Sequence, residues 1–345
     1  MSVFRHQMRR ASALSNRLWR GVSADVAFWL AKGDTVPCIR ETIAGRGPLS
    51  DKVCVFVHYD GGGVLRAHAR RYLDALTAEG FCIVFVSNSP LCAESLAHLT
   101  GRCVRILLRD NRGYDFAAYR DGIFSLDMGA DRPAIVVLAN DSVYGPVSPL
   151  SALFDGMDFA AADVWGVTDS WQTRYHLQSY LVAFGPTALA NPRFAAFWRQ
   201  VRNVRSKWAV VRHYEIGMTQ AMQAGGLRCA AVFDYQNLMR RAEAILDAAA
   251  EEDAPPRHSL GALMLHAAER AEHAARMRIA MNPVIDMWLM LAEAGGPFIK
   301  RELLRDDPTR LHDLVAWHRI VQSRAPALYR EMIEDLKRVM RRAAP

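Results

Sequence analysis

Val53-Cys54-Val55-Phe56-Val57, then His58-Tyr59-Asp60 and Gly61-Gly62-Gly63, is the stretch from which the rest of the chain can be read. Five apolar residues without alternation describe a strand buried on both faces. The segment after the glycines, with Leu65, Tyr72, Leu73 and Leu76, has the spacing of a helix. The same unit returns at Phe81–Val86, Val104–Leu108 and Ile135–Leu138. Continuous apolar runs alternating with helices predict an α/β domain, a mostly parallel sheet flanked by helices. Helices at Phe194–Val204 and Tyr214–Gln223, the second capped by Gly225-Gly226, precede a late strand at Arg228–Phe233. Three regions follow: a helical N-terminal segment at 1–50, a sheet-bearing domain at 51–240, and a helical region at 241–345. Glycine and proline at 45–48 close the first, and Pro283, Pro297 and Pro308 punctuate the last.

The composition is that of an ordinary globular protein: 345 residues, 51% hydrophobic and 23% charged. That excludes a disordered, collagen-like or disulfide-scaffold chain. The net charge of +7 is concentrated at the ends. Arg5, Arg9, Arg10, Arg17 and Arg20 stand without an acid in residues 1–20, and Lys337, Arg338, Arg341 and Arg342 without one in 337–345. Those +5 and +4 leave residues 21–336 at −2. The basic ends suit an anionic inner-membrane surface, while nucleic acid is disfavoured, since no recognition motif accompanies them. Six cysteines are scattered without a CxxC pair, arginines interrupt any leader-like stretch, and no apolar run approaches ~18 residues. A reduced, cytoplasmic or membrane-peripheral location is expected.

Common motifs are absent: GxGxxG, GK[ST], HExxH and GxSxG do not occur at useful places. Gly61-Gly62-Gly63 reads best as a tight turn. More informative are polar residues directly after four predicted strands: His58-Tyr59-Asp60, Ser87-Asn88-Ser89, the segment Arg109 to Asp115, and Asn140-Asp141-Ser142. Any one suits a turn or cap. Four on one edge of a parallel sheet describe a polar crevice, where ligands bind in open α/β sheets.

Arg109-Asp110-Asn111-Arg112-Gly113-Tyr114-Asp115, with Tyr119 and Gly122, resembles the RxNxGxD segment of the rhamnan synthesis protein F family. Asn140 to Pro146 is similar to a second block of that family. Trp165 to Ser170 with His176 to Tyr180 is similar to a third, and Asn282-Pro283, Trp288 and Pro297 to Arg305 to a fourth. The resemblance implies a GT-A-like, Rossmann-like fold that binds a nucleotide-sugar donor and serves a glycan or lipid-linked glycan acceptor in bacterial polysaccharide or lipopolysaccharide assembly. It also suggests L-rhamnose from a dTDP donor, transferred with inversion. A non-catalytic carbohydrate- or nucleotide-binding scaffold is the alternative.

Under that resemblance the donor contacts are His58, Tyr59, Asp60, Ser87, Asn88, Arg109, Asn111, Gly113, Asp115, Asn140, Asp141 and Ser142. Arg109 is expected to meet the pyrophosphate, or else to pair with Asp110 or Asp115 at the surface. Asp141 stands alone where such folds carry Asp-x-Asp; it is either the ligand for Mg²⁺ or Mn²⁺ or a direct partner of the sugar, with arginine neutralising the leaving group, and an Asx turn is the plain alternative. Glu215 matches the general base, with His213 a weaker option and Asp169 a third; otherwise Glu215 is an acid at a helix start. Asp169, Ser170, Trp171, His176, Gln178 and His213 line the acceptor side. Lys300, Arg301 and Arg305 either reach the donor phosphates or a lipid-linked acceptor, or form a solvated helix start. Trp165 and Tyr180 read as core.

Overall fold

The computed structural model describes residues 21–343, except 127, 130–131, 252–254 and 257–258, with side chains described to 339. The N-terminal basic segment therefore lies outside the described residues, and of the C-terminal one only Lys337 and Arg338 have described basic side chains. Eleven strands are found among them. These are β1 (Ile39–Ala44), β2 (Lys52–His58), β3 (Cys82–Ser87), β4 (Arg105–Arg109), β5 (Ile135–Asn140) and β6 (Val143–Tyr144), followed by β7 (Val164–Ser170), β8 (His176–Leu177), β9 (Leu181–Phe184), β10 (Cys229–Phe233) and β11 (Ile299–Lys300).

The main sheet runs β1-β4-β3-β2-β5-β9-β7-β10, with β8 on β7. The β4-β3, β3-β2, β2-β5 and β7-β10 pairs are parallel, while β1 and β9 are antiparallel to their neighbours. Six strands thus point one way and end on one edge. The chain builds β2, β3 and β4 outward, then returns to place β5 on the other side of β2. That reversal is a topological switch point.

Strand β2 is buried throughout beyond Lys52 because helices cover both faces. Val53, Val55 and Val57 join Val84, Val86 and Phe116 on one side. Cys54 and Phe56 join Leu73, Leu76 and Phe85 on the other. Successive side chains point to opposite faces, which is why the run reads as continuous rather than alternating. The helix Tyr114–Phe124 lies against β2 and β3 at Gly122, where an added Cβ would stand 2.3 Å from Val55 Cγ1 and 3.1 Å from Val86 Cγ2. Gly122→Ala should lower stability by about 1–3 kcal/mol through overpacking, read as a lower denaturation midpoint. An unchanged or raised midpoint would show that the helix lifts off freely.

Several elements depart from the sequence reading. Residues 1–50 are not wholly helix and loop, since β1 adds an edge strand with exposed Arg40 and Glu41. Strands β7 and β9 are absent from the sequence reading and are added by the structure. The helix expected from Tyr214 begins earlier, at Lys207, where the Ser206 hydroxyl caps Ala209 N–H at 3.3 Å. A π-helical turn at Val211–Glu215 then leads into Ile216–Ala224. The triple glycine is a tight turn: Asp60 accepts Gly62 N–H at 2.8 Å, and Gly63 takes φ +70°.

The C-terminal region folds back onto the sheet. Leu238 and Ala242 pack on Ala267, Ala268 and Ala271, and the helix Pro326–Ala343 reaches the site edge through Asp335. Arg338, counted among the basic ends, turns inward instead: it donates to Asp335 at 2.6 Å and lies 3.8 Å from Asp60. Among the described residues no helix is long and apolar enough to cross a membrane. All six cysteines are free, with Cys54, Cys82 and Cys103 buried in the core.

Candidate functional site

The switch between β2 and β5 is where backbone and side chains from two loops meet. Val57 pairs with Asn140 in the β2-β5 register, and Asp141 N–H continues the ladder onto Val57 O at 3.2 Å. Tyr59 N–H then donates to the Asp141 carboxylate at 3.3 Å. The loop between β5 and β6 is tightened by Asn140, whose Oδ1 accepts Ser142 N–H at 3.1 Å and also the Ser142 hydroxyl. Asn140 donates from its amide to Asp115 at 3.0 Å. Tyr59 itself is exposed, an aromatic face beside this loop.

Two further elements close the cluster. Glu215, at the end of the π-helical turn, accepts Ser179 N–H at 3.0 Å just before β9, and Tyr119 donates to Ser179 O at 3.1 Å. From the C-terminal region, β11 pairs with β6 and brings Lys300 Nζ to 2.9 Å from the Ser142 hydroxyl and 5.3 Å from the Tyr180 ring. Arg301 donates to Asp141 O at 3.0 Å and lies 3.7 Å from its carboxylate.

These groups perturb one another. Burial, reinforced by Asp141 and Glu215 and opposed by Lys300 and Lys207, pushes the Asp115 carboxyl up to about 6. Burial draws the Lys300 ammonium below its ordinary value, while Glu215 and Asp115 pull the other way. Behind Arg301, Asp335 accepts from it at 3.1 Å and from the Tyr144 hydroxyl at 2.8 Å. Burial alone would raise the Asp335 carboxyl, but Arg338, Arg301 and Tyr144 outweigh it and hold it down to about 2.

The remaining expected residues divide into three groups. His58 and Ser87 do end adjacent strands, with Nδ1 3.4 Å from the Ser87 oxygen, but both are buried, and burial lowers the His58 pKa. Asp60 belongs to its own turn and to Arg66 at 2.9 Å. Arg109 is neither at the surface nor turned to the crevice. Its guanidinium, with no exposed side-chain area, donates to Asp121 at 3.0 Å, to Asn88, and to Arg112 O at 2.9 Å. Asp110 pairs with Arg40 instead. Asn111 is exposed, and Gly113 serves the turn before the helix, where φ +77° and the Ala117 side chain leave no room for a Cβ.

A second cluster forms past β9. Asp169 on β7 accepts Tyr235 N–H at 2.7 Å; burial, with Asp234 adding, pushes it up to about 6. Thr168 donates to Gln178 at 2.8 Å, and Gln178 donates to Asn282 at 3.0 Å. Ser170 and His176 are buried opposite one another across β7-β8, and Trp171 is exposed next to Tyr175. His213 belongs to neither cluster. It is two residues from Glu215 on a helix, hence on a different face, and it stacks on Phe28 at 4.0 Å with Asp25 2.9 Å from Nε2. Trp165 and Tyr180 are core, as their runs indicate.

For a divalent cation the donor set is poor. Asp141 is a single carboxylate already beside Arg301, and the neighbouring Ser142 hydroxyl is held by Lys300. Among the described residues no group of three or more His, Cys, Asp or Glu is disposed to hold a metal ion. A groove of about 460 Å³ lined by Arg71, Pro146 and Glu331 is separate from both clusters, and Arg71 donates to Glu331 there at 3.0 Å.

The chain is similar to several known proteins. Uncharacterized protein y4gN from Sinorhizobium fredii is 29% identical over 227 residues, 64% of this chain and 58% of that protein. The chain thus spans under two thirds of that relative. Virulence protein VirA from Vibrio anguillarum is 28% identical over 251 residues, 72% and 77% of the two chains. Among solved structures, the mannosyltransferase PcManGT from Pyrobaculum calidifontis, in complex with GDP-Man and Mn²⁺, gives a TM-score of 0.32 at 10% identity over 93% of this chain and 95% of that one. TarS residues 1–349 from S. aureus gives 0.33 at 11% over 83% and 91%. Neither likeness bears on the site. The family model for rhamnan synthesis protein F matches residues 83–271. That span is more than half of the chain and takes in Asp115, the Asn140–Ser142 loop, Asp169 and Glu215, so the chain belongs to the rhamnan synthesis protein F family.

Proposed function

We propose that this chain is a glycosyltransferase of GT-A type. It takes a sugar from a nucleoside-diphosphate donor at the β2/β5 switch and hands it, with inversion, to a bacterial surface glycan. The observation that carries the reading is the bridge of Tyr59 N–H to Asp141 at that switch, flanked by the half-buried carboxylates Asp115 and Glu215. Family membership favours L-rhamnose from a dTDP donor and a rhamnan-type acceptor.

The chemistry is a single displacement. An acceptor hydroxyl oxygen attacks C1, the bond from C1 to the diphosphate oxygen breaks with its electron pair leaving on the diphosphate, and the hydroxyl proton passes to a carboxylate. Glu215 is that base. Ser179 N–H fixes its Oε1, which orients the side chain and leaves Oε2 to receive the proton. Tyr59 offers a ring to the nucleotide base, and Asp115, Asn140 and Ser142 offer acceptors and donors to ribose or sugar hydroxyls. Asp169, Trp171 and Gln178 lie on the acceptor side.

The raised carboxyls give a pH signature with opposite signs. Transfer should climb through an acid limb near pH 6, as Asp115 and Asp169 ionise. The same two groups, raised above the ordinary carboxyl value, contribute most stability below about pH 4 and lose it as pH rises through 6. Asp115→Asn should simplify the acid limb in a rate-against-pH profile; an unaltered profile would exclude Asp115 from the limb. Nuclear magnetic resonance of the product, made from dTDP-rhamnose and other nucleotide sugars with rhamnan oligosaccharides, tests the reaction. An inverted anomeric centre supports the displacement, and a retained one overturns it.

A further inference from the structure

We infer that Lys300, with Arg301 beside it, supplies from within the chain the positive charge that a divalent ion brings to a donor diphosphate, so that donor binding needs no metal. This rests on the nucleotide-sugar reading above.

Four observations lead there. First, the loop where a paired-carboxylate motif is expected holds only Asp141, and that residue already neighbours Arg301. Second, the β11-β6 pairing, Ile299 opposite Tyr144 and Lys300 opposite Val143, delivers both basic residues to this loop, with Arg301 N–H on Ser142 O at 3.0 Å. Third, the Lys300 ammonium lies in the field of Asp115 and Glu215 and over the Tyr180 ring. A half-buried ammonium among carboxylates occupies the electrostatic position of a bound cation. The Ser142 hydroxyl takes one of its three N–H donors, and phosphate oxygens match the donors that remain.

Fourth, Arg301 is braced from the C-terminal region. Asp335 on the C-terminal helix holds Arg301 from behind and is itself fixed by Tyr144 and Arg338. The charge is therefore built by residues 299–338, beyond the span matched by the family model.

The test is calorimetric titration of the full chain with UDP, GDP, dTDP and their nucleosides, each in EDTA and in Mg²⁺ or Mn²⁺. At least one diphosphate should bind with the same affinity, within about twofold, in EDTA and in metal. Lys300→Met should weaken that diphosphate at least tenfold without weakening the nucleoside, and Lys300→Arg should restore part of the loss. Diphosphate binding that requires metal, or that survives Lys300→Met unchanged, overturns the inference while leaving the nucleotide site in place. No binding of any diphosphate under either condition overturns the nucleotide-sugar reading and the inference with it. Should Lys300→Met fail to fold, the EDTA comparison on the unaltered chain and the arginine variant still decide.

Discussion

Glu215→Gln should lower the rate of sugar transfer by about 10²–10⁴-fold, the range lost when a general base is removed. Affinity for nucleoside diphosphate and the melting temperature should stay close to those of the unaltered chain. Glutamine keeps an oxygen for Ser179 N–H, so the contact at 3.0 Å and the local backbone survive. What it removes is the capacity to accept a proton. The placement argues for this role over a helix-dipole acid, because Glu215 sits well inside a helix that begins at Lys207, at the end of a π-helical turn. Such turns are frequent at functional sites. A variant that retains the full rate would move the base to Asp169, and a chain with no transfer in either form would favour the scaffold reading.

Asp121→Ala should cost about 3–5 kcal/mol, the loss expected when one partner of a buried ion pair is deleted. Asp121 has no exposed side-chain area, and neither do its partners. Its carboxylate accepts Arg109 Nε at 3.0 Å, Arg120 Nε at 2.8 Å and Cys38 N–H at 3.1 Å. Removal leaves two guanidinium groups without their carboxylate inside the protein. Arg120 also holds Val201 O at 2.8 Å and Val36 O at 3.1 Å, so the segment leading to β1 and the segment after the helix Pro192–Gln200 should loosen together. Chemical denaturation reads the effect, against a typical domain stability of about 5–15 kcal/mol. A loss below about 1 kcal/mol would mean that these arginines find water or other partners, and that the network is incidental.

Why some of this is visible in the chain and some is not follows from where the physical constraint acts. Strands β2 to β5 are covered on both faces along their middles, so the residues there are apolar, and the runs stand out. Their polar ends stand out for the same reason, as sharp breaks in apolar sequence at one edge. Strand β1 lies at the sheet edge and carries Arg40 and Glu41, as edge strands commonly do, so it resembles a loop. In β7 the buried residues Thr168, Asp169 and Ser170 are polar, with Gln178, Tyr235 N–H and Gln172 N–H as their partners, which hides the strand.

Arg109 shows the same limit. Its place in the motif suggests a ligand, but Asp121 lies on the next helix and takes the charge inward. Lys300 stands 158 residues after Ser142, and only the β11-β6 pairing joins them. Nothing local in Phe298 to Glu302 distinguishes a phosphate site from a helix start.

The edge at the β2/β5 switch should bind the nucleotide of a sugar donor. A crystal structure of the full chain with the nucleoside diphosphate selected by titration tests it most directly. The expected density has the base against Tyr59, the ribose near Asp115 and Asn140, and the diphosphate within hydrogen-bond distance of Lys300 Nζ. A nucleotide bound in the groove by Arg71 and Glu331, or at the opposite edge of the sheet, would contradict it.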